Sequence, residues 1–192
     1  IYLKKLFIFE LCTTFKKKGL AKHLINLLNN VQYFNYCIIK RRDCIMDLQL
    51  KGKTALITGA SKGIGAGLAK VLAAEGCNLH LAARDGNAMQ VLSSELKSSF
   101  DISAKVHQAD LSSSKSMHEL DIEAGEYDIL INNAGDIPAG DIEEVSDEEI
   151  RKGFDLKVFG YISLSRAFWK KRKGRDGVII NVIGNSGENW DA

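Results

Sequence analysis

Five short apolar runs alternate with segments of helical periodicity between residues 53 and 183, and this alternation constrains the possible folds more than any other feature. The fourth run, residues 127–132 (YDILIN), is apolar at almost every position. Strands of that kind are covered on both faces, as in a parallel sheet. The sequence therefore predicts a doubly wound α/β sheet with strands at 53–58, 78–83, 104–109, 127–132 and 178–183.

Helical spacing is clearest in two of the connecting segments. Residues 64–75 form the first predicted helix, and residues 147–171 form a long one. His80 and His107 fall inside the second and third predicted strands, so we expect them to be packed or edge residues and not catalytic bases. The long helix places six residues on one face: Ile150, Phe154, Val158, Ile162, Ser165 and Phe168.

The composition changes near Met46. Residues 1–45 carry a net charge of +7, whereas residues 46–192 carry −5. About half of the first segment consists of Phe, Ile, Asn, Lys and Tyr, the residue types of AT-rich codons, and no methionine precedes Met46. We therefore expect residues 1–45 to be an upstream translated segment outside the fold, and residues 46–192 to form one α/β domain.

A competing interpretation gives the first segment a function. In residues 20–31, apolar side chains recur at helical spacing behind three consecutive lysines, a pattern typical of a basic surface-binding helix. A secretory signal fits poorly, because Glu10 interrupts the apolar run and no small-residue cleavage site follows.

Simple counts exclude several classes of protein and site. No run reaches the roughly 18 apolar residues that cross a bilayer. The four cysteines form no Cys-x-x-Cys pair and no group with the four histidines, so we expect neither a disulfide framework nor a metal site. We also expect no nucleic-acid partner, because residues 46–192 are acidic overall and the basic run 170–175 suits the negative end of a helix dipole.

A glycine turn, residues 58–65 (TGASKGIG), follows the first strand directly. Gly59 allows a sharp turn, Gly63 lets a pyrophosphate approach the backbone, and Gly65 allows close packing of helix against sheet. The free N–H groups and the positive end of the helix dipole then face the phosphates. A nucleoside-triphosphate loop is excluded, because G-x-x-x-x-G-K-[ST] is absent. The turn therefore predicts cofactor contacts from Gly59, Ser61, Lys62, Gly63, Ile64 and Gly65.

Two further motifs stand at the ends of later strands. Asp110 and Leu111 follow the third strand, and residues 132–135 (NNAG) follow the fourth. With the glycine turn, which matches T-G-x-x-x-G-I-G, they make the sequence from about residue 48 to 192 resemble the short-chain dehydrogenase/reductase family. The resemblance implies a Rossmann sheet that binds a nicotinamide dinucleotide, with Asp110 at the adenine and further contacts from Leu111, Asn133, Ala134 and Gly135.

Charge at the end of the second strand bears on which dinucleotide is bound. Family members that use NAD generally hold the ribose 2′-hydroxyl with an acid at the position that is Ala83 here. The next residue is Arg84, and Lys62 lies in the glycine turn, so two cations can meet a 2′-phosphate. We therefore predict NADP(H) in preference to NAD(H). Asp85 leaves the alternative open, since its carboxylate could instead reach the ribose.

The resemblance implies a catalytic Tyr-x-x-x-Lys, which this sequence does not contain after its fifth strand. Lys157 stands where the family has a helix Asn, and Gly184 stands where it has a Ser. Lys157 could supply a cation and Ser186 a substitute hydroxyl, so these two are the weak catalytic candidates. Since the family's sheet usually continues further, we expect the sheet to be incomplete on its carboxy-terminal side.

Three functions stay open at this point. The first is an NADP(H)-dependent oxidoreductase acting on a small-molecule carbonyl or secondary alcohol. The second is a dinucleotide-binding fragment or pseudoenzyme without turnover, and the third is an interaction protein that uses residues 1–45. We expect a cytoplasmic protein without a membrane partner. A homo-oligomer is expected for the complete protein, an expectation that does not extend to this shorter chain.

Overall fold

A parallel five-stranded sheet forms the centre of the molecule. The computed structural model describes residues 48–135 and 143–183. The strand order is β3-β2-β1-β4-β5, and every neighbouring pair is parallel. This order confirms the doubly wound α/β sheet, and each strand begins and ends within two residues of its predicted bounds. The strands are β1 (Thr54–Thr58), β2 (Asn78–Ala83), β3 (Ala104–Gln108), β4 (Ile129–Asn132) and β5 (Val178–Asn181).

Helices cover both faces of the sheet, which gives three layers. The helices are α1 (Gly63–Ala74), α2 (Gly86–Ser99), α3 (Ser114–Ala124), α4 (Asp147–Phe154) and α5 (Gly160–Arg172). The first two pack on one face, and α3 and α5 pack on the other. Among the helices of the described ranges, none is both long enough and apolar enough to span a bilayer.

Strand alternation divides the core into two apolar clusters. On β1, Ala55 and Ile57 belong to the cluster under α1 and α2, whereas Leu56 belongs to the cluster under α3 and α5. All three residues are fully buried, because both faces of this central strand are covered. Leu48 and Leu50 precede β1 and are buried in the first cluster, where the Leu48 N–H donates to Glu75 Oε2 at 3.0 Å.

The long helix predicted over residues 147–171 is interrupted by a π-helical segment, Asp155–Phe159. The predicted apolar stripe is also wrong, since Phe154, Val158 and Ile162 are exposed while Phe168 is buried. A π turn holds one more residue than an α turn, which rotates the following residues by about 100°. The side chains that α5 turns into the core are Tyr161, Leu164 and Phe168.

The basic run 170–175 at the end of α5 makes ion pairs with the second face of the fold. Lys171 Nζ lies 2.7 Å from Asp121 Oδ1 on α3, and Arg172 Nη1 lies 3.1 Å from Asp128 Oδ1 just before β4. The Lys171 and Arg172 pairs are largely shielded from solvent. They therefore fix the end of α5 more firmly than exposed ion pairs would, which contribute about 0 to 1 kcal/mol each.

Two histidines form a buried pair between β2 and β3. His80 Nδ1 and His107 Nε2 lie 2.7 Å apart, and His107 Nδ1 lies 3.2 Å from Glu123 Oε2 on α3. Both rings are less than a tenth exposed, which confirms the prediction that these residues are packed. Burial, assisted by the charges of His107 and Lys105, lowers the pKa of His80 to about 4. No group of three or more His, Cys, Asp or Glu residues in the described ranges could hold a metal ion.

We predict that the His80 pair makes the fold sensitive to acid. Because the His80 pKa is lower in the folded chain than its ordinary value, this site favours folding above about pH 6.5 and loses that contribution as the pH falls towards 4. The loss should reach about 3 kcal/mol in the free energy of unfolding. Urea unfolding between pH 4 and 7.5 measures it.

His80→Asn keeps a polar atom near the position of Nδ1 and removes the titration, so it should flatten this part of the pH profile. His118→Asn, at an exposed position of α3, is the matched control and should retain the wild-type slope. A His80→Asn profile that runs parallel to wild type would contradict the assignment.

Candidate functional site

The carboxyl ends of β1, β2, β3 and β4 border a crevice of about 510 Å³. The strand order changes direction between β1 and β4, which is where open parallel sheets generally bind ligands. Of the twelve predicted cofactor contacts, Gly65 alone is absent from the crevice wall. The wall includes the other eleven: Gly59, Ser61, Lys62, Gly63, Ile64, Arg84, Asp110, Leu111, Asn133, Ala134 and Gly135.

The three glycines of the turn have different roles. Gly59 has a φ of +65°, and a Cβ atom there would lie 2.9 Å from the Cα of Ala134. A Cβ atom on Gly65 would lie 2.2 Å from the Gly59 carbonyl oxygen, so this position packs beneath the turn. Gly63 has a φ of +57° and open space beside it, which leaves the main chain accessible from the crevice. Gly59 and Gly65 thus shape the turn, while Gly63 keeps its surface bare.

Hydrogen bonds from Thr58 join the glycine turn to the loop after β4. The Thr58 hydroxyl accepts from the N–H groups of Asn133 and Ala134 at 2.9 and 3.0 Å and donates to the Ile131 carbonyl at 3.2 Å. In return, the Asn133 amide donates to the carbonyls of Thr58 and Gly59. Sequence reasoning gave Thr58 no role, although a hydroxyl at the last position of a buried strand is a usable signal.

The adenine side of the crevice, as the family resemblance implies it, is built around Asp110. Its Oδ1 accepts from the Ser112 hydroxyl at 2.8 Å and the Ser112 N–H at 3.0 Å. These bonds, together with the charges of Arg84 and Lys152, hold the Asp110 pKa below its usual range. Arg84, Asp110 and Lys152 also line an adjoining pocket of about 190 Å³, and Lys152 is a residue that the sequence did not single out.

The start of α1 carries no competing acid. Lys62 is its N-cap residue and makes no side-chain cap, and the first turn contains no Asp or Glu. At the neighbouring strand end, by contrast, the Asp85 carboxylate accepts from the Ala88 N–H at 2.9 Å and caps α2. The positive end of the α1 dipole therefore opens onto the crevice, whereas Asp85 is used in the local structure.

Of the two catalytic candidates, Lys157 lies towards the β4 side of the crevice. The Lys157 ammonium is 3.2 Å from the point that a Cβ atom on Gly135 would occupy, and burial lowers its pKa. Ser186, with Gly184, lies outside the described residues, so its predicted role stays a prediction. The buried Tyr161 hydroxyl lies 2.9 Å from the Ala134 carbonyl oxygen and 3.2 Å from that of Val182. Its burial raises the Tyr161 pKa, which suits a structural bridge.

Comparison with known proteins gives a consistent result. The family model described as short chain dehydrogenase matches residues 53–191. The 3-oxoacyl-(acyl-carrier-protein) reductase FabG of Escherichia coli is 35% identical over 150 residues, which cover 76% of this chain and 61% of FabG. The chain thus spans about three fifths of the length of this curated relative.

Two solved structures share the architecture. An alcohol dehydrogenase from the archaeon Thermococcus sibiricus, complexed with 5-hydroxy-NADP, superimposes with a TM-score of 0.62 at 31% identity, over 65% of this chain and 55% of that one. L-Sorbose reductase from Gluconobacter frateurii, complexed with NADPH and L-sorbose, superimposes with a TM-score of 0.62 at 29% identity, over 66% and 51% of the two chains.

We predict that Thr58→Val destabilises the fold by about 1 to 3 kcal/mol, because two main-chain N–H groups near the crevice floor lose their acceptor without a change in volume. Thr58→Ser retains the hydroxyl and should cost clearly less. Chemical denaturation of both variants measures the difference. Equal stability of the Val and Ser variants would contradict the role given to this hydroxyl.

Alanine substitutions at Gly65 and Gly63 should distinguish a glycine that packing requires from one that lies beside open space. Gly65→Ala places a Cβ atom against the Gly59 carbonyl, so the turn must shift and we expect a loss of several kcal/mol in the free energy of unfolding. Gly63→Ala meets open space and carries only the penalty of its positive φ, about 1 to 2 kcal/mol. Thermal unfolding ranks the two, and a reversed order would refute the assignment.

Proposed function

Since this chain belongs to the short-chain dehydrogenase family, we propose that the crevice binds NADP(H) and that the complete protein is an oxidoreductase. Its substrate is a small-molecule carbonyl or secondary alcohol. The observation that carries the proposal is the glycine turn, where bare main chain at Gly63 and the uncapped start of α1 border the same crevice as Lys62 and Arg84.

The residues present fit a dinucleotide. The turn leaves space beside Gly63 that a side chain would otherwise fill, and α1 begins at this residue without a side-chain cap, which leaves N–H groups available for phosphate oxygens. The diphosphate would bind there, and Asp110 would accept a hydrogen bond from the adenine at the end of β3. Ile64, Leu111 and Ala134 supply apolar wall between these polar groups.

Two cations support the preference for the 2′-phosphate. Lys62 and Arg84 both line the crevice, and Ala83 at the end of β2 offers no carboxylate to a ribose hydroxyl. The Asp85 carboxylate, which would favour NAD(H), is held by the Ala88 N–H. Hydrogen bonds to charged groups contribute about 1.5 to 3 kcal/mol each, equivalent to roughly ten- to a hundredfold in affinity.

The bound nicotinamide would supply or accept a hydride. The part of this chain nearest to that chemistry is the β4 side of the crevice, with Asn133, Ala134, Gly135 and Lys157. Thr58 and Tyr161 hold the loop after β4 by hydrogen bonds, so these residues keep the crevice wall in position. Ser186 remains a candidate for a hydroxyl that orients the substrate.

A second candidate function is dinucleotide binding without turnover. It is favoured by two positions of the sequence. Lys157 stands where the family resemblance implies an Asn, and Gly184 stands where it implies a Ser. Consumption of NADPH with small ketones and aldehydes distinguishes the two, since a proton-transfer group contributes about 10² to 10⁴ in rate.

Self-association of the complete protein is proposed through the outer side of α4, the π-helical segment and α5. Three apolar side chains on consecutive helical turns are each about half exposed there: Phe154, Phe159 and Ile162. A contiguous exposed apolar surface of this kind is typical of interfaces between copies of a chain.

Titration of the full chain with NADPH and with NADH tests the cofactor assignment. We expect NADPH to bind about ten- to a hundredfold more tightly. Lys62→Ala and Arg84→Ala should each weaken NADPH binding by about tenfold and leave NADH binding nearly unchanged, because only NADPH carries the 2′-phosphate. Nicotinamide fluorescence gives both affinities.

Lys115→Ala is the matched control, since Lys115 is an exposed residue of α3 outside the crevice wall. It should bind both dinucleotides like wild type. Equal affinity for the two cofactors, or tighter NADH binding, would refute the roles of Lys62 and Arg84. Binding of neither dinucleotide would refute the proposed function itself.

A further inference from the structure

The π-helical segment between α4 and α5 brings a lysine close to Gly135 of the crevice wall. Leu156 of this segment lines the crevice, and the next residue, Lys157, rests its ammonium against Gly135 at the carboxyl end of β4. A single π turn inside a helical stretch is frequently found at a functional site, because it displaces one side chain from the regular register. In this chain the π segment contains Lys157, which indicates a functional position for this residue.

The ammonium of Lys157 is partly desolvated, and no residue of the described ranges is its partner. Within residues 48–135 and 143–183, the structure gives it neither a carboxylate within 4.0 Å nor a hydrogen bond. Lys171 and Arg172, on the helix that follows, each face an acid. A half-buried charge that the described part of the chain leaves without a partner, close to a crevice, is typical of a ligand-binding position.

The order of the strands decides which part of a ligand this charge would meet. Arg84 and Asp110 follow β2 and β3, the glycine turn follows β1, and Gly135 follows β4 on the opposite side of β1. A dinucleotide with its adenosine at Asp110 and its diphosphate at the glycine turn must extend its second nucleoside over β4. Lys157 therefore lies towards the nicotinamide end.

We infer that Lys157 is a binding residue for the nicotinamide half of the dinucleotide, with its ammonium donating hydrogen bonds to oxygen atoms of that half. This role rests on the proposed function, because it takes the orientation of the ligand from the glycine turn and Asp110. It differs from the roles of Lys62 and Arg84, which serve the adenosine half. The π segment positions the Lys157 ammonium, and an oxygen atom of the ligand would accept its hydrogen bond.

The test compares NADPH with 2′,5′-ADP, which contains the adenosine half and lacks the nicotinamide half. In the full chain, Lys157→Met should weaken NADPH binding by about tenfold and leave 2′,5′-ADP binding unchanged, whereas Arg84→Ala should weaken both. Lys157→Arg should recover most of the NADPH affinity. Lys97→Met, at an exposed position of α2, is the matched control and should change neither affinity.

Two further readouts separate binding from folding. Since Lys157→Met removes a partly desolvated charge, its Tm without ligand should equal or exceed that of wild type. In wild type, the ratio of NADPH to 2′,5′-ADP affinity should be highest at pH values where Lys157 is charged. It should fall as the pH rises through the lowered pKa of this residue, and Lys157→Met should abolish this fall.

The outcomes are distinct. If wild type binds neither ligand, the proposed function fails, and the inference falls with it. If wild type binds both ligands and Lys157→Met binds NADPH equally well, or loses both ligands to the same extent, the inference alone is overturned. If Lys157→Met does not fold, the pH dependence of wild type and the affinity of Lys157→Arg decide in the same way.

Discussion

The close approach of three backbone segments near the ends of β1 and β4 is the constraint on which the rest of the structure depends. At Gly65 there is no room for a Cβ atom beside the Gly59 carbonyl, and the Asn133 amide fills the adjacent space. Protein interiors are packed as densely as organic crystals, so these segments cannot separate without losing both contacts and hydrogen bonds. The glycine turn and the loop after β4 are consequently held together where they line the crevice.

Charge is distributed over the molecule in two different ways. At the end of α5, Lys171 and Arg172 face acids of neighbouring elements, and their charges are satisfied within the fold. At the crevice, Lys62 and Arg84 come from two separate elements and border one concave surface, and Lys157 lies close to Gly135 of its wall. Cations gathered in a cleft with low-dielectric walls raise the local potential, which favours a ligand carrying several phosphates. The fold therefore places positive charge where the glycine turn already offers N–H groups.

The elements of the sheet could be predicted because short apolar runs bounded by glycine and polar residues determine strands locally. The long helix could not be predicted in detail, since one inserted residue in the segment Asp155–Phe159 rotates everything that follows. The predicted stripe placed Ile162 on the same face as Phe168, yet the two lie about 120° apart around α5, and the structure exposes the first and buries the second. Tyr161 was overlooked for the same reason, although its hydroxyl lies between the carbonyls of Ala134 and Val182.

The sequence by itself determined the order of strands and helices, the glycine turn and the absence of an acid at Ala83, because these depend on neighbouring residues along the chain. Only the tertiary structure decided that Thr58 binds the N–H of Asn133, 75 positions away, and that His80 meets His107. It also decided that Lys157 rests on Gly135. Such contacts follow from strand order and register, which bring residues that are distant in the sequence to one edge of the sheet. A local sequence pattern does not specify which distant residues will meet.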